Sequence, residues 1–140
     1  MNQATSQDQI PAIIQVVGDQ TVQNLLPIMA LHPSKIIQVR SRDTIPTTRF
    51  KDAADNLCSA VAHLKEEPGF DNYRPNISTE IIEQTSPGIE NTRSVVASLL
   101  AVHQGALVNF TGATKLMSIG AYQAAAALGA PSLYCDTQEP

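Results

Sequence analysis

Tryptophan is absent from this 140-residue chain, and tyrosine and phenylalanine supply only three residues each. The interior must therefore be built from aliphatic side chains, which dominate the 43% hydrophobic content. Cysteine is almost as scarce. Cys58 and Cys135 stand far apart in apolar surroundings, form no Cys-x-x-Cys pair and follow no secretory signal pattern, so the expected setting is a reduced cytoplasm without a disulfide framework. Positive charge is thin, with nine Lys and Arg against 13 Asp and Glu for a formal net charge of −4. That balance excludes the broad basic surface that holds duplex nucleic acid or an anionic membrane, so any polyanion has to be gripped locally. No apolar run approaches the roughly 20 residues needed to cross a bilayer. His32, His63 and His103 are scattered, with no Cys, Asp or Glu at metal-ligand spacing, and neither a metal nor another cofactor is expected. Patterns of the Gly-x-Ser-x-Gly, Walker A and Gly-x-Gly-x-x-Gly types are missing as well. No catalytic residue is assigned.

What is present is an alternation of short apolar runs and amphipathic stretches. After a polar lead-in over residues 1–10, expected to be flexible, "AIIQVV" has the β-branched composition of a buried strand and stops at Gly18. In "DQTVQNLLPIMAL" Val22, Leu25, Leu26 and Met29 recur at helical spacing. Pro27 disfavours a place deep in that helix, which predicts Asn24 as N-cap and Pro27 in the first turn. "KIIQVR" is a second strand. Thr47 or Thr48 is expected to cap the following helix, whose face of Phe50, Ala53, Ala54, Leu57, Cys58, Val61 and Leu64 runs up to Pro68-Gly69. "NISTEIIE" is a weaker third strand. Ser86-Pro87 predicts the start of a helix reaching about Gln104, "ALVNF" a fourth strand, "TKLMSIGAYQAAAAL" a helix closed by Gly129, and "SLYCD" a fifth strand. Five strands alternating with four helices predict a single α/β domain over residues 11–140. The expected architecture is Rossmann-like, a mainly parallel sheet of five to six strands with helices on both faces.

Ligands of such sheets sit outside the carboxyl ends of the strands, where helix N-termini present free N–H groups. Three segments reach that edge. The first offers Gly18, Asp19, Gln20, Thr21 and Asn24 as hydrogen-bonding groups. The second, after strand two, gathers Arg40, Ser41 and Arg42, with Arg49 further on. The third is "TGATK", Thr111, Gly112, Ala113, Thr114 and Lys115, in which a glycine-relaxed backbone and a lysine suit an anion, phosphate above all. Each segment also reads as an ordinary turn, with Thr111 capping, Lys115 solvated and the arginines paired with Asp43 or Asp52. From the residues alone both readings stay open.

"VGDQTVQNLLPIMAL" and "VNFTGATKLMSIGAY" together resemble the CARF domain, the CRISPR-associated Rossmann fold, in the branch found at the N-terminus of CARF nucleases of type III CRISPR systems. The resemblance extends over nearly the whole chain and is most specific at the second stretch, where the family usually shows Thr-Gly-Gly-Thr-Lys. Ala113 departs from it, and if that position takes a positive φ the alanine is strained there. The resemblance implies a cytoplasmic antiviral sensor that binds a cyclic oligoadenylate, usually cyclic tetraadenylate, across a homodimer, with the effector in a separate domain. Either an excised or a standalone sensor is expected. Two alternatives are a metal-independent ring nuclease that cleaves this ligand and a Rossmann-like domain for a nucleotide or other phosphorylated metabolite.

Overall fold

A computed structural model of the chain describes residues 10–136. The lead-in expected over residues 1–10 thus lies, except for Ile10, outside the described residues. The elements follow in the order β1 (Ala12–Val16), α1 (Thr21–Leu31), β2 (Lys35–Ser41), α2 (Arg49–His63), a single 3-10 turn (Leu64–Glu66), β3 (Asn76–Ile82), α3 (Ile89–Val102), β4 (Leu107–Asn109), α4 (Lys115–Leu128) and β5 (Ser132–Leu133). All pairings are parallel and the strands lie in the order β3-β2-β1-β4-β5. No helix among the described residues is long and apolar enough to cross a membrane.

Because successive strand residues point to opposite faces, β1 feeds two cores. Ile13 and Val17 join Ile28 of α1 and Ala53, Leu57 and Val61 of α2 on one face. Ala12, Ile14 and Val16 join Val96 and Leu100 of α3 and Met117, Ala121, Ala124 and Ala125 of α4 on the other. Small residues let α3 and α4 lie close: a Cβ on Gly120 would come within 2.5 Å of the Ile89 carbonyl oxygen. The chain runs from β1 outward to β3, returns across the other face through α3, and resumes at β4 beside β1. The β1–α1 and β4–α4 connections therefore leave adjacent strands toward opposite faces, the topological switch point of a doubly wound sheet.

Two expected helix starts are corrected, and at a third the expected capping bond is absent. The first helix begins at Thr21 with Gln20 in the cap position, so Asn24 lies inside it and is fully buried, and Pro27 is internal. Proline there deprives the Gln23 carbonyl of its usual donor. The Asn109 side chain supplies one at 3.3 Å, and the adjacent Asn24 carbonyl accepts from the Gln15 side chain at 3.2 Å. Thr48 holds the cap position of α2 but makes no capping bond. Asp43 does that work from further upstream, its carboxylate accepting from the N–H groups of Phe50 at 2.8 Å and Lys51 at 3.0 Å. At α3 the cap is Gly88, two residues beyond Ser86, with the Asn91 side chain accepting from the Gly88 N–H at 2.9 Å.

Candidate functional site

At the switch point the two connections touch backbone to backbone. Gly112 has φ +94, and a Cβ there would lie 3.1 Å from the Val16 carbonyl oxygen and 3.2 Å from the Gly18 nitrogen. A Cβ on Gly18 would meet the Ala113 nitrogen at 2.5 Å, a distance no side chain tolerates. Glycine at both positions is what lets the loops close on each other. Ala113 takes φ +56, so the strain anticipated for an alanine there is present, on the order of 1 kcal/mol.

Beneath this contact runs a buried amide network. Asn24, 0% exposed, donates to the Val16 carbonyl at 3.0 Å and accepts from the Gly18 N–H at 3.3 Å, which fixes the β1–α1 turn. Asn109 donates to the Gln15 side chain at 2.8 Å, and its own oxygen accepts from the Thr111 N–H at 3.0 Å. Gln15 and Asn109 are cross-strand neighbours in the β1–β4 register. The sequence reading missed both; its available signal was a lone amide among aliphatics in each buried strand, where a polar group persists only if hydrogen-bonded.

Thr111 is 1% exposed, and its hydroxyl accepts from the Cys135 N–H at 2.5 Å. Thr114 is the N-cap of α4, its hydroxyl accepting from the Met117 N–H at 3.2 Å. Lys115, the first residue of α4, is exposed and has no ion-pair partner among the described residues. Across the contact, Asp19 and Gln20 are exposed and Thr21 half-buried at the start of α1. Neither α1 nor α4 has an acidic residue in its first turn, whereas α2 has Asp52 and α3 has Glu90. The two helices that meet at the switch point are thus the two without an acidic residue in the first turn, while Asp19, just before the α1 cap, is paired with Arg49.

The arginine-rich segment is organised differently. Arg40, mostly buried, reaches Asp43 at 3.6 Å and donates to the Ser41 carbonyl at 3.1 Å; Ser41 itself is buried. Arg42 is exposed. Arg49 grips Asp19 with two nitrogens, at 3.1 Å from Nε and 2.5 Å from Nη2 to the same carboxylate oxygen. That hydrogen bond holds the Asp19 carboxyl below the usual carboxylate range. Of the sequence candidates, Gly18, Asp19, Gln20, Thr21, Gly112, Ala113, Thr114 and Lys115 gather at one mouth. Asn24, Ser41 and Thr111 are inward-facing, and Arg40 is tied to Asp43. Outside this mouth, a hollow of about 570 Å³ between α1 and α2 shares only Thr21 with the candidate residues. Among the described residues no group of three or more His, Cys, Asp or Glu is placed to hold a metal ion.

The sequence model of a family described as the Card1 CARF domain matches residues 12–139. None of the curated proteins matches the chain in sequence. Among solved structures, Can2 from Sulfobacillus thermosulfidooxidans in complex with cyclic tetra-adenylate is similar with a TM-score of 0.71 and 17% identity over 91% of this chain. The chain spans 32% of that protein's length. At this identity the likeness is one of fold.

Proposed function

The chain belongs to the Card1 CARF domain family, and from that premise we propose that it is a sensor binding a cyclic oligoadenylate, cyclic tetra-adenylate first, across a homodimer. The observation that carries the reading is the pair of helix N-termini free of acidic first-turn residues that converge on the Gly18–Gly112 contact, with Lys115 at the rim. Backbone N–H groups, two dipole ends and one flexible ammonium suit a phosphodiester in a chain whose net charge is acidic. Can2, the similar structure, is in complex with cyclic tetra-adenylate, which favours that ring over other phosphorylated ligands.

Self-association draws support from the surface next to the loop. Leu116, Ile119 and Tyr122 recur along one side of α4 and are 49%, 40% and 48% exposed, directly after Lys115. An isologous pair through this side would set two copies of residues 112–115 around one axis, matching a ligand with its own rotational symmetry. In this reading the domain works in the cytoplasm and governs a separate effector.

Calorimetric titration tests the proposal. One ring of cyclic tetra-adenylate per two chains is expected, with linear tetra-adenylate and ATP much weaker. The absence of binding at micromolar protein, or equal preference for ATP, would reject it.

A further inference from the structure

The loop that carries Gly112 and Lys115 is fastened through its first residues, Phe110 and Thr111, to the chain that follows β5. β5 is two residues long and pairs with β4 only through Val108↔Ser132 and Asn109↔Leu133. The chain at and just beyond its end contacts the start of the loop at successive residues. The Phe110 N–H donates to the Leu133 carbonyl at 3.1 Å, and the Phe110 ring lies 5.7 Å from that of Tyr134 and 5.2 Å from that of Tyr122. The Thr111 hydroxyl then takes the Cys135 N–H at 2.5 Å. At 1% exposure this hydroxyl does not face the mouth, and the Thr111 N–H is spent on Asn109.

We propose that Thr111 is a positioning residue that couples the conformation of residues 112–115 to residues 134–136. This rests on the reading of that loop as the ligand grip. The residue following Thr111 takes positive φ and so does the next, so a rearrangement of the loop around an anion has to be taken up at its ends. At Thr111 the choices are to carry Cys135 along or to leave a buried hydroxyl and a backbone N–H unpaired, and the second is disfavoured. Loop and segment therefore move as one. An occupied mouth is then felt in residues 134–136, beside the loop at the carboxyl end of β5, through Thr111.

Two arms of one hydrogen-exchange experiment test this, read at the Cys135 amide by NMR. In the ligand-free arm, Thr111→Val removes the acceptor and keeps the shape, while Thr111→Ser keeps the acceptor. Protection of the Cys135 amide is expected to fall at least tenfold in the valine variant and to be retained with serine. Relaxing the loop with Ala113→Gly is expected to change that protection only where residue 111 keeps its hydroxyl. In the second arm, saturating cyclic tetra-adenylate is expected to shift Cys135 exchange in the wild type and in Thr111→Ser. In Thr111→Val the shift should vanish while affinity falls less than in Lys115→Ala.

Cys135 exchange indifferent to both Thr111→Val and Ala113→Gly would overturn the coupling. So would a loss of affinity in Thr111→Val as large as that in Lys115→Ala, since it would make Thr111 a ligand contact. If no variant binds the ring, the functional reading fails and the ligand-free arm still decides the coupling. If Thr111→Val does not fold, the response of Cys135 to Ala113→Gly decides it.

Discussion

The switch-point loops and the β2–α2 loop stand at the same edge of one sheet, and both end on a helix N-terminus, yet they are in opposite electrostatic states. At α2 the place an anion would take is filled by the chain itself: Asp43 accepts from the N–H groups of Phe50 and Lys51 and also faces Arg40. At α1 and α4 no acidic side chain occupies the first turn, and the Thr114 hydroxyl at α4 is a neutral cap. A helix N-terminus is therefore an open anion site only when its own sequence has not already supplied the anion. Of Arg40, Arg42 and Arg49, two are matched to carboxylates, whereas Lys115 has no such partner among the described residues.

The largest effect is expected where the two switch-point loops touch. Gly18→Ala places a methyl 2.5 Å from the Ala113 nitrogen, against backbone that cannot rotate aside. Overpacking of this kind costs about 1–3 kcal/mol. Denaturant unfolding should show that loss, and titration should show ring binding abolished, because both N-termini are displaced. A Gly18→Ala protein of unaltered stability and affinity would mean that the loops are not locked together. Lys115→Ala comes next. If Lys115 grips the ligand as proposed, the change removes a charge-assisted contact of about 1.5–3 kcal/mol, and a tenfold or greater loss of affinity is expected, while stability stays within about 0.5 kcal/mol because the side chain is solvent-exposed. Equal affinity would take Lys115 out of the site.

How much of this was legible in the sequence depends on whether a feature is local. Strand and helix order followed from apolar periodicity, and Gly129 was readable as a helix stop because its φ of +68 is a local requirement. Gly112 was readable for the same reason. Asn24 was not: its placement as a cap assumed that Pro27 must sit in a first turn, and what overrides that assumption is the pair of amides from Gln15 and Asn109, one of them 86 residues away from the carbonyl it satisfies. Capping by Asp43 was missed because it reaches across a seven-residue gap. Periodicity also cannot tell which threonine hydroxyl faces a ligand, and the burial of Thr111 against Cys135 is settled by the fold of the last strand.

Asp43→Ala would turn one region into the other. Two N–H groups of α2 lose their acceptor, at a cost of about 1–2 kcal/mol, typical of a lost cap. Arg40 loses its carboxylate partner at the same time. Added inorganic phosphate should then raise the melting temperature of Asp43→Ala by more than that of the wild type. Identical phosphate responses would show that the α2 terminus is closed by something other than Asp43.

The smallest expected effect concerns Asp19, which sets a negative charge at the mouth of a site read as anion-binding. Arg49 offsets that charge through a solvent-exposed pair, so solvent and salt screen the contribution to folding. The hydrogen bond from Arg49 lowers the Asp19 pKa in the folded protein. The folded value lies below the unfolded one, near 3.9, so the associated stability is complete above about pH 4 and is lost as pH falls through the folded value. The stability difference between wild type and Asp19→Asn should thus be small and flat at neutral pH, shrink below about pH 4, and shrink also in 1 M salt. Asp19→Asn releases Arg49 toward the mouth and removes the repulsion, so its affinity for cyclic tetra-adenylate should rise modestly at low ionic strength. A fall in affinity instead would mean that the Asp19 carboxylate accepts hydrogen bonds from the ligand, and that this side of the switch point reads the nucleoside rather than the phosphate.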